Sequence, residues 1–151
     1  MRRLMLDANL LLLWIVGTLD RSLVARHKRT CHFRTRDFDV LLGLLARVDQ
    51  IVVTPGILTE CSNLLRQAPN VTADRLMAVL AQLVASLDEQ YVPAASVSGA
   101  AHFCRLGLTD ATILGAIGDE LPLLTTDVAL YTEASRVYPN AVFNFDYLPR
   151  L

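Results

Sequence analysis

Four acids in this chain have neighbours that suit them to shared chemistry. Asp7 follows the apolar run Leu4-Met5-Leu6, and Glu60 falls six residues after Thr54. Asp110 follows Gly107-Leu108-Thr109, and Asp127 follows Leu124-Thr125-Thr126. Brought close together, four carboxylates would repel, and some would stay protonated unless a cation joined them. Hard oxygen donors of this kind suit Mg²⁺ or Mn²⁺, which keep water and recruit phosphate oxygens. Such ions activate water and stabilise both the attacking and the leaving oxygen of an in-line phosphodiester cleavage. Taken singly, each acid has a plainer reading. Asp7, Asp110 and Asp127 suit helix starts, and Glu60 suits a solvated helix face.

The elements that must position these acids can be read from periodicity and capping signals. Leu4 to Leu6 is a short buried strand that delivers Asp7 at its carboxyl end, and Asn9 opens a nearly all-apolar helix to about Thr18. Gly17 weakens that helix. Arg26 to Arg36 has no strong apolar period and reads as a loop or frayed helix end. Asp37 or Asp39 then caps a helix to about Val48. Ile51 to Val53 is a second strand, and Thr54-Pro55 is a helix start, with Glu60 and Asn63 in the middle turns before about Gln67. Thr72 caps an amphipathic helix to about Leu87. Tyr91 to Ala94 reads as a short strand and Ser98 to Arg105 as a short helix. Thr109 caps a helix with Asp110 in its first turn, where the helix dipole favours an acid. Leu121 to Thr125 and Ala141 to Phe145 are further strands, separated by a helix to about Arg136. This alternation predicts a single α/β domain over 1–151, a three-layer α/β/α sandwich with a mainly parallel central sheet. In such sheets ligands bind at the carboxyl ends of strands, where three of the four acids fall.

Composition narrows the class. At 151 residues, 53% hydrophobic and 19% charged, the chain suits one domain with a full core and excludes disorder. Its longest charge-free apolar runs, Ala8 to Leu19 and Leu76 to Leu87, fall short of the ~20 residues a membrane span needs. Asp7 interrupts what would otherwise resemble a leader after Arg2 and Arg3. The expectation is a cytoplasmic protein, with surplus apolar surface buried in the core or in a homodimer. Cys31, Cys61 and Cys104 include no CxxC pair, and no zinc-ligand spacing joins them to His27, His32 and His102.

Charge is uneven. Between Arg21 and Arg36 stand six cations, Arg21, Arg26, Lys28, Arg29, Arg34 and Arg36, and no acid. Of fourteen Lys and Arg in all, eight remain against fifteen acids elsewhere. The segment is a candidate RNA contact through phosphates, carried by Arg26, Lys28, Arg29, Arg34 and Arg36, or else a solvated loop or dock for an acidic protein. Phe33 could stack on a base or anchor the loop. Asp146 is either a fifth acid of the site or the end of a strand.

The series Leu6-Asp7-Ala8-Asn9, Leu58-Thr59-Glu60-Cys61-Ser62-Asn63-Leu64, Gly107-Leu108-Thr109-Asp110-Ala111 and Leu124-Thr125-Thr126-Asp127 resembles the PIN domain family over nearly the whole chain. These are metal-dependent ribonucleases, many of them toxins of bacterial toxin–antitoxin pairs. The resemblance implies that Asp7, Glu60, Asp110 and Asp127 are catalytic and bind Mg²⁺ or Mn²⁺. It makes Asn9 and Thr125 accessory polar residues, and it implies RNA as substrate and an antitoxin as a possible partner. Two rivals remain. A haloacid-dehalogenase-like phosphatase also begins on a strand-end Asp, but needs a second Asp where this chain has Asn9. The other rival is a catalytically silent PIN-like module that binds protein.

Overall fold

The computed structural model describes residues 1–149; the end of the expected domain, residues 150 and 151, lies outside the described residues. Strands β1 (Arg3–Leu6), β2 (Gln50–Val53), β3 (Asp88–Glu89), β4 (Leu123–Thr125) and β5 (Val142–Asn144) form one sheet in the order β3-β2-β1-β4-β5. Every pairing is parallel, with Leu4 opposite Ile51, Leu6 opposite Leu124 and Thr125 opposite Asn144. Helices α1 (Ala8–Leu19), α2 (Thr35–Leu45), α3 (Pro55–Leu65), α4 (Asn70–Val84), α5 (Ala94–Val97), α6 (Phe103–Leu106), α7 (Leu108–Ala116) and α8 (Val128–Val137) flank it. The result is the expected three-layer α/β/α sandwich. From β1 the chain winds outward through β2 to β3, then returns past β1 to β4 and β5. Right-handed crossovers put the helices of the two halves on opposite faces. Accordingly α1 packs on α2, α3 and α4, while α7 packs on α5 and α6. The direction of winding reverses between β1 and β4, and a crevice opens there at the carboxyl ends.

The apolar excess of α1 is spent inside the chain. Leu10, Leu11, Leu13, Ile15 and Val16 are wholly buried, so this helix fills the core and its composition calls for no second copy. Gly17 has a packing role: the Phe38 ring of α2 lies where a Cβ would stand. Among the described residues, no helix is long and apolar enough to cross a membrane.

Several boundaries differ from expectation. The third strand is Asp88–Glu89, not Tyr91 to Ala94. It is a polar edge strand, held by the Arg3–Asp88 ion pair at 2.7 Å and by the Gln90 N–H to the Val53 carbonyl at 2.8 Å, so hydrophobicity could not mark it. Ahead of α2 it is Arg34 that precedes the helix, and the Asp37 carboxylate reaches back to accept the Arg34 N–H at 2.8 Å. Helix α4 begins at Asn70, earlier than a Thr72 cap allows. Helix α7 starts after Gly107, whose φ of 86° suits glycine, rather than at a Thr109 cap. Pro122 has no N–H to give a ladder, and β4 starts after it.

The basic segment is a loop, as expected, but a packed one: after a short 3-10 turn at Arg21–Leu23 it runs as consecutive turns up to α2. Successive turns link Leu23 to Asp20, Arg26 and His27 to Leu23, Thr30 to His27 and Phe33 to Thr30 through backbone N–H···O=C bonds. Val24, His27, Thr30 and Phe33 are buried at every third position. A three-residue burial period built on one apolar, one aromatic and two polar side chains escapes both helical and strand templates. Phe33, 3% exposed, meets Phe145 edge-on with ring centroids 6.3 Å apart. It is a loop anchor, and its burial removes it as a stacking platform.

Candidate active site

Each of the four acids is placed by its own element. Asp7 leaves the end of β1 as the cap of α1, its Oδ1 accepting the Leu10 N–H at 2.9 Å. Asp127 follows β4 and caps α8 in the same way, its Oδ1 accepting the Leu130 N–H at 2.9 Å. Asp110 stands in the first turn of α7 and Glu60 in the middle of α3. The first turns of α3 and α7 meet where Thr109 touches Gly56. All four acids, with Asn9, Thr109, Ile113 and Leu130, line one small pocket at the switch point between β1 and β4. Their plain local roles as caps and helix residues are therefore real, and the fold adds convergence to them.

Asp7 is 4% exposed and is the most firmly held of the set. Its Oδ2 accepts the Thr125 hydroxyl and the Thr126 N–H, the latter at 2.8 Å. The same Thr125 hydroxyl oxygen accepts the Asp127 N–H at 2.9 Å. Asn9 donates from Nδ2 to the Thr126 hydroxyl at 3.3 Å. Asn9 and Thr125 therefore brace the turn between β4 and α8 against the end of β1. Thr126 was not singled out from the sequence. Its contribution to Asp7 is a backbone N–H, which any residue type could offer at that position.

The electrostatics follow from burial and crowding. Burial raises the carboxyl of Asp7 above its ordinary range, partly offset by its three hydrogen bonds, and the charge of Asp127 adds to the rise. Glu60, on an exposed position, is raised by partial desolvation and then by Asp7 and Asp127. Asp110 is pushed up to about 7, first by burial and then by Asp127, Glu60 and Asp7. Three acids raised by burial and, in each case, by the charge of Asp127 across a shared pocket have the signature of a perturbed functional site. Among the described residues, neither this pocket nor the cleft beside it is lined by a Lys, Arg or His, so none of their side chains supplies the missing positive charge there. A small hard divalent cation fits this all-oxygen donor set. The four carboxylates surround the pocket without closing on a point: among the described residues, no three His, Cys, Asp or Glu side chains are set to hold a metal ion. Cys61 lies next to Glu60, but burial and the nearby carboxylates push its thiol up, and it donates to the Ala8 carbonyl at 3.4 Å. It stays a thiol and offers no nucleophile.

The other candidate residues lie elsewhere. None of the basic segment's cations lines the pocket or the cleft beside it. The twelve residues of α1 carry the chain about 18 Å away from the carboxyl edge before the segment begins. Arg29 bonds Gln67, beyond the far end of α3, at 2.8 Å through Nε. Arg26 pairs with Asp20 at 3.7 Å, Arg21 pairs with Asp39, and Lys28, Arg34 and Arg36 are exposed. Asp146 sits in a short 3-10 turn after β5 and lines a different cleft with Arg34, Arg36 and Asp37; the structure does not bring it to the four acids.

No family model, curated protein sequence or solved structure matches this chain.

Proposed function

We propose that this protein is a divalent-metal-dependent endoribonuclease. The observation that carries the reading is the convergence of Asp7, Glu60, Asp110 and Asp127, from four separate elements, on one pocket that no cation among the described residues lines. Phosphodiester hydrolysis follows from that donor set; RNA as the substrate, and an antitoxin as partner, follow from the motif resemblance to PIN domains. The four carboxylates would hold Mg²⁺ or Mn²⁺, which when bound supplies Lewis acidity for water attack at phosphorus and neutralises the charge that develops.

The chain's own residues do the rest. Thr125 and Thr126 hold Oδ2 of Asp7 in one orientation, and the Leu130 N–H holds Asp127. Preorganisation of this kind keeps the charges of Asp7 and Asp127 at the pocket before substrate arrives. Asp110 and Glu60 form the opposite wall and keep more freedom, since no hydrogen bond within the described residues fixes either side chain. The cations of the basic segment, distant from the pocket, would meet phosphates of a more remote stretch of the same strand, adding affinity without sequence choice.

The test is cleavage of single-stranded and folded RNAs with Mg²⁺, Mn²⁺ or EDTA, comparing the wild type with Asp7→Asn and Asp110→Asn. Metal-dependent products that both substitutions abolish are expected. Undiminished cleavage by both folded variants would overturn the assignment. A silent binding module would also bind no Mn²⁺ through these residues, which titration calorimetry distinguishes.

A further inference from the structure

Beside the carboxylate pocket lies a larger cleft of about 730 Å³. The two share Glu60, Thr109, Asp110 and Asp127, so the cleft is open to the nucleotide next to a phosphate held at the carboxylates. We propose that this cleft seats one unstacked nucleobase next to the scissile phosphate, and that Asn63 reads its edge. The inference rests on the nuclease reading and adds a specificity-determining residue to it.

Three observations point to a base rather than a phosphate. The first is that no Lys, Arg or His among the described residues lines the cleft, so none of them is there to attract a second phosphate. The second is the apolar wall: Leu64, Leu106 and Leu108 line the cleft, and Leu108 stays 48% exposed. An exposed leucine at a polar site gains most by covering the face of a flat apolar group. The third is Asn63 itself, three residues after Glu60 and so on the same face of α3. Asn63 is exposed, and its amide makes no hydrogen bond within the described residues. One donor and one acceptor side by side match N6 and N7 of adenine. Single-stranded RNA offers such edges once its bases unstack, and the cleft's size is within the range of small-ligand sites, roughly 300–1,000 Å³.

The experiment maps cut sites on a randomised single-stranded RNA with Mn²⁺, for the wild type, Asn63→Ala and Asn63→Leu. Thermal melts confirm that each variant folds. The wild type is expected to favour adenine at one position adjoining the cut. Both variants should flatten that preference by roughly 5- to 100-fold, the discrimination lost with a bidentate base contact. Asn63→Leu separates the hydrogen bond from the side chain's bulk, because it keeps the bulk alone. Cleavage without base preference beside the cut overturns the inference and leaves the nuclease standing. So does a preference that survives in both variants. No metal-dependent cleavage at all overturns the nuclease and this inference together.

Discussion

The Thr125 hydroxyl donates to Oδ2 of Asp7 across 118 residues of sequence, and its oxygen receives the Asp127 N–H. One wholly buried side chain therefore sets the position of two acids. Thr125→Val keeps the shape and removes both bonds, leaving the Asp127 N–H unpaired. The expected cost is about 1–3 kcal/mol of stability. Mn²⁺ affinity and cleavage should drop by roughly 10- to 100-fold, as when a residue bracing a metal ligand is lost. Thr125→Ser should restore most of both. Calorimetry and thermal melts read the two effects separately, and a Val variant with wild-type Mn²⁺ affinity would show that the bracing is immaterial.

Asp110 gives the metal-free protein a pH dependence of definite sign. Its carboxyl rises from 3.8 to about 7 in the fold, so between these values the folded chain keeps a proton that the unfolded chain has released. Stability in EDTA should fall as pH rises through that window, with the cost complete above about pH 7. Asp110→Asn removes the cost of burying the charge, and with it the repulsion from Asp127, Glu60 and Asp7. In EDTA it should stabilise the protein at about pH 8 by on the order of 1–2 kcal/mol after solvent screening, and have little effect near pH 4. A variant no more stable than wild type under alkaline conditions would show that the carboxylates do not strain one another.

His27 acts with the opposite sign. Its Nδ1 accepts the Arg29 N–H at 3.1 Å, which leaves the proton on Nε2, a buried atom with no partner among the described residues. Burial and then the Arg29 charge lower its pKa below the ordinary 6.5. The unfolded chain takes up a proton below that value sooner than the folded one, so stability falls with acidity from there down. His27→Asn keeps a local acceptor for the Arg29 N–H and cannot take up the proton. Its stability should fall less steeply below about pH 6.5, by up to ~1.4 kcal/mol per pH unit. Equal slopes in denaturant titrations of the two proteins would refute this.

Gly17 tests the core. An alanine in mid-helix normally stabilises by up to about 1 kcal/mol over glycine. Here its Cβ would lie 2.3 Å from Cδ2 of Phe38, a ring only 4% exposed. Gly17→Ala is therefore expected to destabilise by ~1–3 kcal/mol through overpacking. Adding Phe38→Leu should recover part of that loss, a coupling that a double-mutant cycle measures. A stabilised Gly17→Ala protein would mean that the ring moves aside freely.

Local chemistry made much of this protein legible in its sequence. The strand ending at Leu6, the Thr54-Pro55 helix start and the caps at Asp7 and Asp127 depend on neighbouring residues alone: an apolar period, a missing N–H, a side chain within reach of the next turn. These signals place Asp7, Asp110 and Asp127 at an element's end and Glu60 within a helix, and the alternation of elements implies the layered α/β class. What they leave open depends on partners far along the chain. The polar strand Asp88–Glu89 exists because β2 offers it a ladder and Arg3 offers it a charge. The turns that bury Val24, His27, Thr30 and Phe33 hold because Phe145 and the core receive them, which packs the loop against the domain. The sheet order also had to come from the tertiary structure. Only the reversal between β1 and β4 sets Asp7 beside Thr125 and opens a crevice that Glu60 and Asp110 can share. Strand order is decided by which apolar faces pack against one another, a long-range balance that no local run of residues encodes.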